Sequence, residues 1–138
     1  MDFNDITFRH RIPVQLRFND IDMFGHVNNA MYLQYFDMGK LAFFKQHMDG
    51  DFEHQPTVPV VVNINVDFHQ PTLIDEHIFV ETAIEHIGDT SLTLVQRIIT
   101  DGGTVKCSAR TVMVNIDVAT HQPATVSPAW REALLAGK

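Results

Sequence analysis

D-I-D-M-F-G-H-V-N-N, residues 20–29, is a polar, glycine-punctuated loop set between two segments of different hydrophobic period. On its N-terminal side the even positions from Phe8 to Phe18 read Phe, His, Ile, Val, Leu, Phe, while the odd ones read Arg, Arg, Pro, Gln, Arg. This two-residue alternation predicts a strand with one buried face. Pro13 has no N–H to give a ladder, so that strand belongs at an edge or has a free N–H side there. On the C-terminal side, Ala30 to about Met48 has helical character, with Asn28 or Asn29 placed to cap it. Tyr32, Tyr35, Phe36, Gly39, Ala42 and Phe43 form one face, which Met31, Leu33, Met38, Leu41 and Phe44 widen. Only Gln34, Asp37 and Lys40 or Lys45 offer a polar edge. A helix apolar nearly all round is buried on more than one side, which predicts a central helix wrapped by a sheet. Gly39 costs stability in mid-helix, and close approach to a strand is the expected compensation.

Further along, Val58, Val60, Val62, Ile64, Val66 and Phe68 alternate with Pro59, Val61, Asn63, Asn65 and Asp67, the clearest strand pattern in the chain. Pro71 and Asp75-Glu76 mark a turn. Strands follow over residues 77–87 and 91–100, joined at Gly88-Asp89, and Asp101-Gly102-Gly103 forms the hairpin into the last long strand. In that strand the apolar set is odd-numbered at Val105, Cys107 and Ala109 but even-numbered at Val112, Val114 and Ile116, which predicts a β-bulge near Arg110-Thr111. Ser127 can cap a short terminal helix with Pro128 at its first position and Trp130 and Leu134 inward. The order β, long α, four β, short α is that of an α+β domain with a mostly antiparallel sheet, read as a single domain over residues 1–138.

With 45% hydrophobic and 20% charged residues the chain reads as globular. A formal charge of -7 disfavours nucleic acid or an anionic membrane as partner. The N-terminus has no apolar core of signal-peptide length, and no run approaches the ~20 residues of a membrane span, so a cytoplasmic protein is expected. Cys107 is alone and the eight histidines lack metal-ligand spacing, so neither a disulfide nor a metal site is expected. The loop itself concentrates two carboxylates, an imidazole and two amides ahead of a helix N-terminus, where unpaired N–H groups and the macrodipole favour developing negative charge. Such a place suits polarisation of a carbonyl. Asp20-x-Asp22-x-Phe24-Gly25 imitates the start of a calcium loop, but Phe24 and Met31 replace required ligands. There is no G-x-S-x-G elbow or Cys-His signature.

Taken with the element order, R-F-N-D-I-D-M-F-G-H-V-N-N-A-M-Y (residues 17–32) resembles the hotdog-fold thioesterases of the hydroxybenzoyl-CoA thioesterase type, and V-V-V-N-I-N-V-D-F-H-Q-P resembles their second strand. The G-H-V-N-N-x-x-Y version is also similar to acyl-carrier-protein thioesterases. The resemblance implies a hotdog fold, an antiparallel sheet around one long helix, acting without a cofactor as an acyl-CoA thioesterase. It implies Asp22 as the catalytic carboxylate, the amide N–H of Asn29 as the oxyanion donor and His26 as an assisting residue. Gly25, Val27 and Tyr32 are expected to contact the substrate. It further implies a homodimer or homotetramer, because the family pairs subunits edge to edge. The family's helix commonly carries Glu then Arg where this chain has Asp37 and Lys40. Asp37 is the rival carboxylate, since another hotdog branch uses one about two turns into the helix; its bland alternative is a solvated acid. Asp20 reads as structural, bonding backbone amides, and Asn28 and Asn29 as caps. Tyr32, Tyr35, Phe36, Phe43 and Phe44 are either core or the lining of an acyl pocket suited to medium-length or aryl groups. Within the same fold, a carrier-protein thioesterase and a non-catalytic acyl-binding protein stand as alternatives.

Overall fold

The computed structural model describes residues 1–47 and 54–136. Its elements are β1 (His10–Val14), a 3-10 turn (Phe18–Asp20), α1 (Asn29–His47), β2 (Thr57–Phe68), β3 (Ile78–Ile87), β4 (Ser91–Thr100), β5 (Val105–Asp117) and α2 (Pro128–Ala136). The five strands form one antiparallel sheet in the order β1-β3-β4-β5-β2. Hairpins at residues 88–90 and 101–104 join β3 to β4 and β4 to β5, while β1 and β2 are the edges. Pro13 sits in edge strand β1 opposite Phe79, where a missing N–H costs least. Beyond Val14 the alternation no longer reports a sheet: the chain turns away and Phe18 is 84% exposed.

α1 lies along the sheet with Tyr32, Tyr35, Phe36, Gly39, Lys40, Phe43 and Phe44 buried, a stripe at i, i+3, i+4, i+7. The expectation of burial on several sides needs correction, because Leu33, Met38 and Leu41 are 41–51% exposed. Lys40, expected on the polar edge, lies on the buried stripe with its Nζ 3.0 Å from exposed Asp37, the stem packed and the charge carried outward. No helix among the described residues is long and apolar enough to cross a membrane.

The expected bulge near Arg110-Thr111 is absent; β5 keeps its odd positions buried through Thr111, Met113 and Asn115. A register slip lies opposite, at Val62 of β2, between the pairs Val61–Met113 and Asn63–Val112. One extra residue moves Ile64, Val66 and Phe68 onto the helix-facing side and leaves Val58 and Val60 on the other, beside Val114 and Ile116. The sheet's outer face is covered in part by the N-terminal segment, whose Phe3 and Phe8 pack with Ala83 and Val95. α2 starts as read from the sequence, with Ser127 Oγ accepting from the Trp130 N–H at 3.1 Å and Leu134 fully buried.

At Gly39 helix and sheet approach closely. A Cβ there would lie 2.5 Å from Val80 Cγ1 and 3.0 Å from Gln96 Nε2. That amide donates to the Phe36 carbonyl at 2.9 Å, tying the helix to β4. Gly39→Ala gains up to ~1 kcal/mol of helix propensity and loses about 1–3 kcal/mol to overpacking. The expected result is a net destabilisation, read as a lower midpoint in urea. Val80→Ala, harmful alone, should be less so when combined with Gly39→Ala; strictly additive losses would remove the steric explanation.

Candidate active site

The loop between β1 and α1 is wound by its own carboxylates. Asp22 Oδ1 accepts the backbone N–H groups of Phe24 (2.9 Å) and His26 (3.2 Å), and the Asp22 N–H donates to the His26 carbonyl at 2.8 Å. Gly25 closes the turn at φ +80°, a value that an L side chain rarely adopts. Asp22 Oδ2 has no partner among the described residues, so one oxygen holds the loop and the other takes no part in it. Asp20 is buried; its Oδ2 accepts the Tyr35 hydroxyl at 2.7 Å and the Arg17 N–H at 3.3 Å. It is structural as expected, through one backbone amide and a phenol. Burial and the Asp20 carboxylate push the Tyr35 pKa well above the ordinary phenol range, so Tyr35 remains the donor of that bond.

Asn28 rather than Asn29 caps α1: its Oδ1 accepts the Ala30 N–H at 3.0 Å and its carbonyl accepts the Met31 N–H at 2.9 Å. The Asn29 N–H is left without an acceptor among the described residues, at the positive end of the macrodipole. Asp22, His26, Val27, Asn29 and Tyr32 form one wall of a cleft of about 320 Å³. The opposite wall is the end of β2 and the turn after it, Phe68, His69, Gln70 and Pro71. The walls are joined by the Val27 N–H donating to the Thr72 carbonyl at 2.8 Å, the Tyr32 hydroxyl donating to Thr72 Oγ1 at 2.9 Å, and a short bridge between His26 and Leu73.

The structure therefore brings Asp22, His26, Asn29, Val27 and Tyr32 together and leaves Gly25 off the cleft surface, acting through the loop's shape. Asp37 does not line the cleft; its side chain is 72% exposed and paired to Lys40. Tyr35, Phe36, Phe43 and Phe44 are packed in the core, so of the five rings considered for an acyl pocket only Tyr32 reaches the cleft, 5.6 Å from the Phe68 ring. The β2 wall was missed in the sequence. Its signal was the polar His69-Gln70 pair where the alternation stops before Pro71, but nothing local says that it faces a loop some forty residues earlier. The buried Cys107 thiol is pushed up to about 12 by burial and by Asp67, which disqualifies it as a nucleophile at neutral pH. Among the described residues, no group of three or more His, Cys, Asp or Glu is placed to hold a metal.

Comparison with known proteins converges on one family. The chain matches the Bacillus subtilis protein YsmA at 31% identity over 81 residues, 59% of this chain and 54% of that one. It matches the acyl-CoA thioester hydrolase YbgC of Escherichia coli O157:H7 at 25% identity over 122 residues, 85% of this chain and 89% of the relative. The crystal structure of a Thermus thermophilus thioesterase complexed with coenzyme A and Zn superposes with a TM-score of 0.81 at 28% identity, over 93% of this chain and 98% of that one. The five-stranded antiparallel sheet with one long helix is the hotdog arrangement, shared with the Thermus thioesterase. A family model described as the thioesterase-like superfamily matches residues 16–134, the loop, the helix and all four long strands included, and the chain belongs to that family.

Proposed function

We propose that the protein hydrolyses acyl-CoA thioesters to the free acid and CoA, with its chemistry in the cleft between the Asp22 loop and the end of β2. The observation that carries this reading is the presence, in the lining of one cleft, of Asp22 and Asn29, whose Oδ2 and backbone N–H respectively have no partner among the described residues. A thioester carbonyl is electrophilic and its thiolate leaves readily, so hydrolysis needs a site for the oxyanion and a carboxylate that attacks or activates water. With the carbonyl oxygen on the Asn29 N–H, negative charge develops against the helix N-terminus. Asp22 Oδ2 then either attacks the carbonyl carbon, forming a mixed anhydride and releasing the CoA thiolate, or takes a proton from the attacking water. His26, with its backbone N–H held by Asp22, supplies a second proton carrier beside it. The names of YbgC and the Thermus thioesterase support CoA as the thiol. Thiol release measured across acetyl-, hexanoyl-, decanoyl- and benzoyl-CoA tests the proposal, and absence of turnover on all of them would leave an acyl-binding protein on the same scaffold.

The working form is a homo-oligomer. β2 is a twelve-residue edge strand with Val61 and Val62 46% and 56% exposed, and α1 leaves Leu33, Met38 and Leu41 uncovered. A second copy would pair the free edge and cover apolar surface. Light scattering at micromolar concentration should give at least twice 15.7 kDa, and a mass equal to one chain would contradict the arrangement.

A further inference from the structure

The turn after β2 forms the second wall of the cleft, and a lysine from β5 ties it down. Lys106 is the extra residue of a β-bulge: Ile98 and Ile99, adjacent in β4, pair with Cys107 and Val105, and Lys106 is skipped. A bulge re-aims the side chain it carries. Lys106 is 7% exposed; its Nζ donates to the Pro71 carbonyl at 3.0 Å and pairs with Glu76 Oε2 at 3.0 Å. Its carbonyl accepts the N–H groups of His69 (2.9 Å) and Gln70 (3.2 Å). Glu76 turns its other oxygen on the turn itself, Oε1 accepting the Leu73 N–H at 2.9 Å. The turn is therefore wound on a carboxylate, as the Asp22 loop is, and pinned to the sheet by an ammonium. A buried ion pair of this kind adds little net stability, because desolvation consumes most of its Coulombic gain. What it fixes is geometry.

We propose that Lys106 is a positioning residue for hydrolysis: it sets the 71–76 turn, and through Thr72 the start of α1, to the geometry in which the Asn29 N–H meets the thioester oxygen. This rests on the thioesterase reading. The path is a short run of bonds. Pro71 is held by the Lys106 ammonium, and the next residue, Thr72, accepts the Val27 N–H on its carbonyl at 2.8 Å and the Tyr32 hydroxyl on its Oγ1 at 2.9 Å. Val27 lies two residues before Asn29, and Asn28 between them donates its N–H to the Asp20 carbonyl at 2.8 Å. Thr72 and Val27 are both buried, in close packing that passes a displacement on instead of absorbing it. A turn released from Lys106 lets Val27 shift and carries the Asn29 N–H out of line. Misplacement of a reacting group by about 1 Å can cost roughly 100-fold in rate.

Three variants separate position from charge balance, each followed by thiol release from an acyl-CoA that the wild type turns over and by unfolding in urea. Lys106→Met keeps the packed stem and removes the tie to Pro71. Its kcat should fall about 10- to 100-fold, with KM changed less, because the loss falls on the oxyanion donor. Its urea midpoint should fall too, since Glu76 is left without its cation. Lys106→Met/Glu76→Gln leaves neither charge unpaired, so its midpoint should recover towards wild type while kcat stays as low as in the single variant. If Lys106→Met does not fold, the charge-balanced double variant carries the kinetic comparison. Glu76→Gln alone keeps the bond from Lys106 to Pro71 and should stay within a few-fold of wild-type kcat. An active wild type with an unimpaired Lys106→Met, a loss confined to KM, a double variant whose kcat recovers along with its midpoint, or a Glu76→Gln as impaired as Lys106→Met overturns the positioning role alone. A wild type inert towards every acyl-CoA overturns the thioesterase reading, and this role with it.

Discussion

Asp22→Asn is expected to lower kcat by at least ~100-fold with the fold retained. The substitution is nearly isosteric, and an amide oxygen can still accept the Phe24 and His26 N–H groups that wind the loop. What is lost is the charge and the basicity of the second oxygen, which has no structural duty among the described residues. A merely structural Asp22 would predict the reverse, a small kinetic effect with a stability cost. The matched control is Asp37→Asn, which should change kcat little, because Asp37 lies outside the cleft and only meets Lys40 at the surface. Circular dichroism on both variants, followed by kcat and KM on one acyl-CoA, decides between them. A collapse at Asp37 with a mild effect at Asp22 would transfer the catalytic role to the helix. His26→Ala belongs between the two, since it removes a proton carrier but leaves the carboxylate and the oxyanion donor in place.

What could be read from the sequence was whatever its physics made local. Strand and helix periods, the cap at the start of α1, the serine and proline opening α2 and the edge placement of Pro13 all depend on neighbours within a turn or a pleat. The same holds for one wall of the cleft, because Asp22, His26 and Asn29 fall within eight residues of a single loop and helix start. The misplaced bulge shows where locality ends. A parity change in β5 is visible in the sequence, yet a slip in register belongs to a pair of strands, and here β2 absorbs it at Val62. The odd positions of β5 stay inward because Thr111 and Asn115 are buried polar residues, which a hydrophobic pattern reads as outward. Lys40 misled in the same way, its stem counting as apolar surface and its charge as polar.

The oxyanion donor is a backbone group, so a side-chain scan would pass over it; Asn29→Pro deletes it directly. Proline at the first position of a helix is well tolerated, since its fixed φ suits the helix and the N–H it lacks has no intrahelical acceptor. The residue before a proline is driven toward extended backbone, which is the conformation that a capping residue such as Asn28 adopts. The Asn28 cap itself uses the N–H groups of Ala30 and Met31, which the substitution leaves intact. Stability should therefore change by no more than about 1 kcal/mol, the scale of a lost cap. Activity should fall far more. Loss of one oxyanion donor typically costs about 10²- to 10³-fold in kcat, roughly 2.7–4 kcal/mol, because the bond strengthens as charge builds on the oxygen and contributes little to the ground state. The loss should accordingly fall on kcat, with KM nearly unchanged. Asn29→Ala separates the backbone from the side chain: it keeps the N–H and should remain within a few-fold of wild type. Titration with CoA of both variants shows whether the proline ring has narrowed the cleft. Equal losses in the alanine and proline variants would place the oxyanion site elsewhere, whereas a large loss in proline alone, with CoA binding retained, assigns it to the N–H of Asn29.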